Sequence, residues 1–207
     1  MADARKRRRT QAERSALSER RIAKAAIALI AKRGYSKTSL AEIGRKAGYT
    51  GGLVSHRFGS KEQLLRELID RIFGRFWADQ IQPAVERRGG LAAILAGADA
   101  YLRELGVREE RLRALYVLMG EALGPLAEVR GVFAELDEEF RTIVQRWLEE
   151  ARAAREIRAD VDVAATAALI VALLRGTAMQ WLMAPGRIDL DRASAALKTA
   201  LRRSLAP

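Results

Sequence analysis

SLAEIGRKAGYTGGLVSHRFGSKEQLL, residues 39–65, decides the fold. Ser39 and Glu42 stand three apart, as do Ser60 and Gln63. That is the spacing of a capping box, in which two side chains satisfy free backbone N–H groups at a helix start. Leu40, Ile43 and Ala47 then share one helical face before Gly48, where glycine can take the positive φ of a tight turn. Between that turn and Ser60 there is room for about two turns of helix, from Thr50 to roughly Arg57, with Val54 and Phe58 facing inward. A helix, a glycine turn and a second short helix make a helix-turn-helix, whose second helix can lie in a DNA major groove with its N-terminal residues nearest the base edges. Gly51 and Gly52 stand in that first turn. Each costs about 1 kcal/mol of helix propensity relative to alanine, and in return the backbone can approach DNA closely. The lysine and glycine spacing of a phosphate-binding P-loop is absent.

The charge distribution agrees with a nucleic-acid end. The 207-residue chain has a formal net charge of +11. Residues 1–60 hold 15 Lys and Arg against 4 Asp and Glu, whereas the remainder holds 22 of each. All the excess sits in one end, attached to an electrically balanced body. Residues 1–16 lack apolar periodicity and read as a disordered basic arm, in which Lys6–Arg9 is either a solvated tail or a phosphate- or minor-groove-tracking segment. From Ser18 onward Ile22, Ala26, Leu29 and Ile30 form a helical stripe, which Gly34 ends as a left-handed C-cap.

Beyond a connecting helix over 61–82, helices are predicted near 91–105, 109–123, 126–156, 160–184 and 189–205, broken at Gly106, Gly124-Pro125, Arg158 and Pro185-Gly186. No segment alternates as a strand would. The fold class is therefore all-α, with about nine helices. The absence of cysteine excludes disulfides and thiolate chemistry, and His56, the single histidine, has no partner for a triad or metal site. No catalytic residue, metal or cofactor is predicted. The most apolar run, Val163–Leu174, stops at Arg175 after roughly a dozen residues, against about 20 for a bilayer span. With no secretory signal visible, these features predict a buried helix in a cytoplasmic protein without a membrane partner.

Residues 22–65, IAKAAIALIAKRGYSKTSLAEIGRKAGYTGGLVSHRFGSKEQLL, resemble the N-terminal domain of the TetR family of transcriptional regulators. The match runs through an alanine-rich helix ending RGY, then TSLAEI, AG in the turn, and FGSKEQLL. ALLRGTAMQWLMAPGRIDL looks like the last two helices of family members. The resemblance implies a helix-turn-helix DNA-binding domain over 17–60 and an effector-binding and dimerisation domain over 61–207. It also implies a homodimer paired through the last two helices (about 160–184 and 189–205), a palindromic double-stranded DNA operator, and a small-molecule effector. Thr38 falls at the start of helix 2, where members contact a phosphate, and Ser39 beside it is a further DNA-binding candidate. Thr50 caps the recognition helix, and Gly51, Gly52, Ser55 and His56 take its DNA-facing positions. Arg57 matches a phosphate contact, and Lys61 opens helix 4. Most members carry tyrosine at the position of Ser55 and often a larger polar residue at Gly51, so base preference does not transfer.

Within the body, Trp77, Tyr101, Tyr116, Met119, Trp147, Arg175 and Met179 are candidates for an apolar effector pocket, although aromatics at helical spacing also build plain cores. Arg175 lies within an apolar helix and needs a partner. It pairs with an acid such as Glu104 or Glu121, meets an anionic ligand, or faces solvent at the subunit seam. Two other readings of the chain are a sequence-indifferent DNA-coating protein and a regulator controlled by a protein partner.

Overall fold

A computed structural model describes residues 10–107, 109–124 and 126–207, so the first nine residues of the expected arm lie outside the described residues. Helix α1 spans Gln11–Arg33, α2 Leu40–Ala47 and α3 Gly51–Phe58. Helix α4, Lys61–Phe76, continues through a π-helical turn at Trp77–Ile81 into the short α5, Gln82–Val85. The body is completed by α6 (Gly90–Val107), α7 (Glu109–Ala122), α8 (Arg130–Ala153), α9 (Val163–Met183) and α10 (Leu190–Leu205). Counting α4, the π turn and α5 as one rod gives nine helices, and no strand occurs among the described residues.

Helix α1 begins seven residues before Ser18, inside the stretch expected to form the arm. Its start is another capping box: the Thr10 hydroxyl accepts from the Glu13 N–H at 3.1 Å, and the Thr10 N–H donates to the Glu13 carboxylate at 2.8 Å. The two boxes read from sequence are present, with Ser39 capping α2 through Glu42 and Ser60 capping α4 through Gln63. Gly48 takes the left-handed conformation, φ 81° and ψ 30°. Gly34 also has positive φ, 86°, but an extended ψ of 164°, so it is not the expected left-handed cap. The chain leaves α1 straight because a carboxylate from the body, Glu121, receives the next two N–H groups.

In the N-terminal unit, Ile22, Ala26 and Ile30 of α1, Ile43 of α2, and Val54 and Phe58 of α3 are buried together. Helix α7 packs along α1, and α8 and α9 pack against each other. Helix α9 corrects the length argument: it runs 21 residues to Met183, with mean hydropathy 1.5, and is long and apolar enough to cross a membrane. Only 28% of its apolar window is buried. One face (Ala167, Ile170, Val171, Leu174, Ala178) joins the core, while Leu169, Leu173, Met179 and Met183 remain exposed on the other. Asp162 and Asp189 cap α9 and α10, each accepting an N–H three residues on at 3.0 Å.

Candidate nucleic-acid interface and effector chamber

Thr50 caps α3, its hydroxyl accepting from the Leu53 N–H at 3.2 Å. Gly52, Ser55 and His56 are exposed on that helix, and Thr50 and Ser39 are exposed at the starts of α3 and α2. The two adjacent glycines exist for different reasons. A Cβ on Gly51 would lie 2.9 Å from the Ala41 Cα and 3.2 Å from its backbone nitrogen, so this position is small because α2 passes against it. Gly44 on α2 is reciprocal: a Cβ there would lie 2.7 Å from the carbonyl carbon of Thr50 and 2.8 Å from its oxygen. A Cβ on Gly52 would meet nothing nearer than the Thr50 hydroxyl at 3.9 Å. Gly52 therefore lies open on the helix surface, whereas Gly51 belongs to the helix–helix contact.

Three expected DNA-binding residues are engaged elsewhere. Thr38 is buried, and its hydroxyl donates to the Gly34 carbonyl at 2.7 Å, bracing the α1–α2 corner. The Arg57 guanidinium points back to α1, where it bonds the Ser15 hydroxyl and approaches Glu19 at 3.5 Å. The Lys61 ammonium donates to the Tyr35 carbonyl at 2.9 Å and lies 4.0 Å from the centre of the Tyr35 ring. Burial lowers its pKa, and Glu121 opposes that shift. Lys37, Arg45 and Lys46, absent from the expected site, are exposed cations beside the same helix pair. Their mark in the sequence is the charge excess of the first 60 residues.

The corner after α1 is also where body and N-terminal unit meet. The Tyr35 and Ser36 N–H groups donate to the Glu121 carboxylate at 3.0 and 3.3 Å. Glu121 sits at the end of α7, and residues over the preceding two and a half turns or so of α7 (Leu112, Leu115, Tyr116, Met119) line an apolar chamber. Ile72, Phe73 and Phe76 of α4 form a second wall, with Tyr101, Phe140, Val171, Leu174 and Arg175 closing it. The free volume is only about 40 Å³. A neighbouring apolar space of about 30 Å³ lies beyond Tyr101 and Phe140, lined by Trp77 and Trp147. Six of the seven expected residues thus line one of the two spaces. Met179 lines neither, being 44% exposed on the outer face of α9.

The few polar groups in the chamber are already satisfied. The Tyr101 and Tyr116 hydroxyls are 2.7 Å apart, and the Tyr116 hydroxyl donates to the Arg175 carbonyl at 3.3 Å. Burial raises the pKa of both tyrosines, so each remains a neutral phenol. Arg175 forms an ion pair with Asp137 of α8, not with Glu104 or Glu121. Its guanidinium also reaches the Met119 sulfur at 3.5 Å. Burial pushes the Asp137 carboxyl up, opposed first by Arg175 and then by Arg141. No group of three or more potential metal-ligating side chains occurs among the described residues.

Known proteins match this geometry along nearly the whole chain. Residues 22–68 match the bacterial regulatory proteins of the tetR family, and residues 90–206 match the C-terminal domain of BetI-type transcriptional repressors. The HTH-type transcriptional regulator AcrR of Shigella flexneri is 26% identical over 170 residues, covering 81% of this chain and 79% of that one. The HTH-type transcriptional repressor KstR2 of Rhodococcus jostii is 26% identical over 178 residues, covering 80% of each. In fold, the chain superposes on the regulator FadR of Bacillus subtilis, solved with stearoyl-CoA, with a TM-score of 0.78 at 22% identity, over 90% of this chain and 98% of that one. The chain thus belongs to the TetR family and is a DNA-binding, ligand-responsive transcriptional repressor.

Proposed function

We propose that this repressor works in the cytoplasm as a homodimer on an inverted-repeat operator and is released when an apolar small molecule enters the chamber between α4 and α7. The observation that carries the release mechanism is the size of the chamber. Its 40 Å³ is far below the roughly 300–1,000 Å³ of ordinary small-molecule sites, so a ligand must displace the walls. Two of those walls end in the DNA-reading unit. Helix α4 begins at Lys61 on Tyr35, and α7 ends at Glu121 on the Tyr35 and Ser36 N–H groups. The π turn at Trp77–Ile81, adjoining the chamber, is the place where α4 can yield. Two recognition helices must meet half-sites about 34–36 Å apart, or a multiple of that, so a modest tilt of each unit loses the operator. The effector releases DNA only as far as it prefers the expanded state.

On this reading Thr50, Gly52, Ser55 and His56 meet base edges, while Ser39, Lys37, Arg45 and Lys46 contact phosphates. The occupant of the outer face of α9 is a second copy of the chain. Leu169, Leu173, Met179 and Met183 give a continuous apolar stripe, and α10 lies beside it in the sequence.

The test is operator selection from genomic fragments, followed by a screen for apolar compounds that release the selected DNA. Met119→Trp, which fills the chamber from α7, is expected to bind the operator normally and ignore the releasing compound. Equal release from wild type and variant would sink the chamber as the effector site. Equal affinity for unrelated duplexes at moderate salt would instead sink operator reading itself.

A further inference from the structure

Arg57 turns away from the exposed side of α3, where Ser55 and His56 lie, and the site that holds it is a poor one. The guanidinium reaches the Glu19 carboxylate only at 3.5 Å, against about 2.7–2.9 Å for a charge-assisted hydrogen bond of good geometry. Its Nε is buried and has no hydrogen-bond partner. A buried, unpaired N–H on a charged group carries a desolvation cost that an outside acceptor would relieve. The remaining contact, to the Ser15 hydroxyl, is shared, because that hydroxyl itself donates to Glu19 at 3.1 Å.

Glu19 is also claimed from its other side. Its Oε1 faces Arg57 and Ser15, whereas its Oε2 faces Arg71 of α4 at 3.4 Å. Arg71 is drawn in turn to Glu67, one turn earlier on α4. One carboxylate on α1 thus stands between a cation of the recognition helix and a cation of the connecting helix. The further Arg71 withdraws, the more of the Glu19 charge is left to Arg57. Arg71 directly precedes Ile72 and Phe73, two residues of the chamber wall. The network therefore joins the recognition helix to the part of α4 that a chamber ligand would displace.

We propose that Glu19 is a positioning residue that rivals the DNA backbone for Arg57, and that Arg71 sets the strength of the rivalry. In the free protein Arg57 lies against Glu19. On DNA its guanidinium swings out to a phosphate, which offers the bidentate partner that the single long contact to Glu19 does not. Arg71 then keeps the vacated carboxylate paired. When α4 withdraws Arg71, Glu19 turns its whole charge on Arg57, and the recognition helix loses a phosphate contact. The rivalry itself needs no effector; only its link to ligand release rests on the chamber reading.

Fluorescence anisotropy of the full-length protein on a mixed-sequence duplex tests this, because a phosphate contact is indifferent to sequence and needs neither a known operator nor a ligand. Glu19→Gln should bind about two- to fivefold more tightly than wild type, and Arg71→Gln about twofold less tightly. Glu19→Asp keeps the charge but withdraws the carboxylate by one methylene, and should also bind more tightly. All three changes should be nearly silent in an Arg57→Gln background. Arg57→Gln should itself lower the slope of log affinity against log salt by about 0.9, the share of one phosphate. A gain from Glu19→Gln that persists in full without Arg57, with none from Glu19→Asp, would mean that the field of one carboxylate suffices and would overturn the rivalry. An unchanged salt slope in Arg57→Gln would overturn it too, since Arg57 would then never leave Glu19. Weaker binding by Glu19→Gln at an unaltered urea midpoint would show Glu19 holding α3 in its reading position, the reverse of the proposal. Arg71→Gln matching wild type, alongside the Glu19 gains, would overturn the link to α4 alone.

Discussion

The helix-turn-helix and the effector chamber lie at opposite ends of α4, and opposite kinds of contact hold them. In the first, backbone meets backbone: Gly44 against Thr50 and Gly51 against Ala41 leave no room for a methyl group, and caps at Ser39, Thr50 and Ser60 satisfy helix starts locally. In the second, side chains from five helices meet loosely, with rings at 5.3–6.4 Å and voids left between them. A contact made of backbone has no alternative packing, whereas rings and Met119 can rotate into others. The reading head is thus the stiff part and the chamber the deformable part, the division a ligand-operated switch requires.

The sharpest way to break that comparison is Gly44→Ala. Its new methyl would lie within 3 Å of two backbone atoms of Thr50, which cannot rotate away. Destabilisation of the N-terminal unit by about 3 kcal/mol is expected, with operator binding lost and chamber ligands still bound. Urea unfolding alongside fluorescence anisotropy on operator DNA measures both. Normal operator affinity in Gly44→Ala would mean that the helix pair is as pliable as the chamber. Gly52→Ala is the control, because open space surrounds that position. It should stabilise α3 by about 1 kcal/mol while altering only DNA affinity.

Next in size is Arg175→Met. The arginine is paired with Asp137, and the two side chains are 18% and 31% exposed, so solvent screening reduces the loss to about 1–2 kcal/mol. The pH dependence has a definite sign. Burial raises the folded-state pKa of Asp137, so its ionisation opposes folding as pH rises through the carboxylate range, and Arg175 offsets this. Without Arg175 the penalty at neutral pH should exceed that at pH 4. Urea midpoints showing an equal loss at both pH values would show that the arginine acts through packing alone. Tyr116→Phe should cost less, about 1 kcal/mol, by leaving the buried Tyr101 hydroxyl without its 2.7 Å partner, again read from urea midpoints.

What was legible in the sequence follows the same division. Ser39 with Glu42 and Ser60 with Gln63 are i, i+3 signals that residue spacing reports directly, and they mark the starts of α2 and α4 and so bracket α3. Thr10 with Glu13 carries the same signal, masked by the basic run before it, so α1 starts seven residues earlier than its apolar stripe predicts. Spacing could not show which side of each glycine is occupied, because Gly51 is constrained by Ala41 across a turn. Arg57 and Lys61 are turned inward by residues distant along the chain, and Thr38 by the Gly34 carbonyl at the corner that ends α1. In the body, α9 is apolar on both faces, so periodicity could not separate the inward Leu174 from the outward Met179. Asp137 as the partner of Arg175 depends on how α8 and α9 cross.

The smallest effect tests whether the caps themselves make the reading head stiff. Glu42 accepts from the Ser39 N–H at 3.0 Å and the Ser39 hydroxyl at 2.7 Å, and pairs with Arg33 at 2.8 Å. The Ser39 bonds first, then Arg33, lower its pKa from 4.5 to about 2. A depressed folded-state pKa gives stability that is fully present above pH 4.5 and is lost as pH falls towards 2. Glu42→Gln keeps the amide oxygen for the Ser39 N–H but cannot titrate. The acid side of its stability profile should therefore be flatter than that of the wild type between those two values, the variant being the less stable at neutral pH and the difference closing as pH falls towards 2. Circular dichroism melts across this window, with hydrogen exchange at the α2 amides, provide the measurement. Parallel profiles for the two proteins would mean that the Ser39–Glu42 box closes α2 without holding it, and that the glycine contacts alone keep α3 in register.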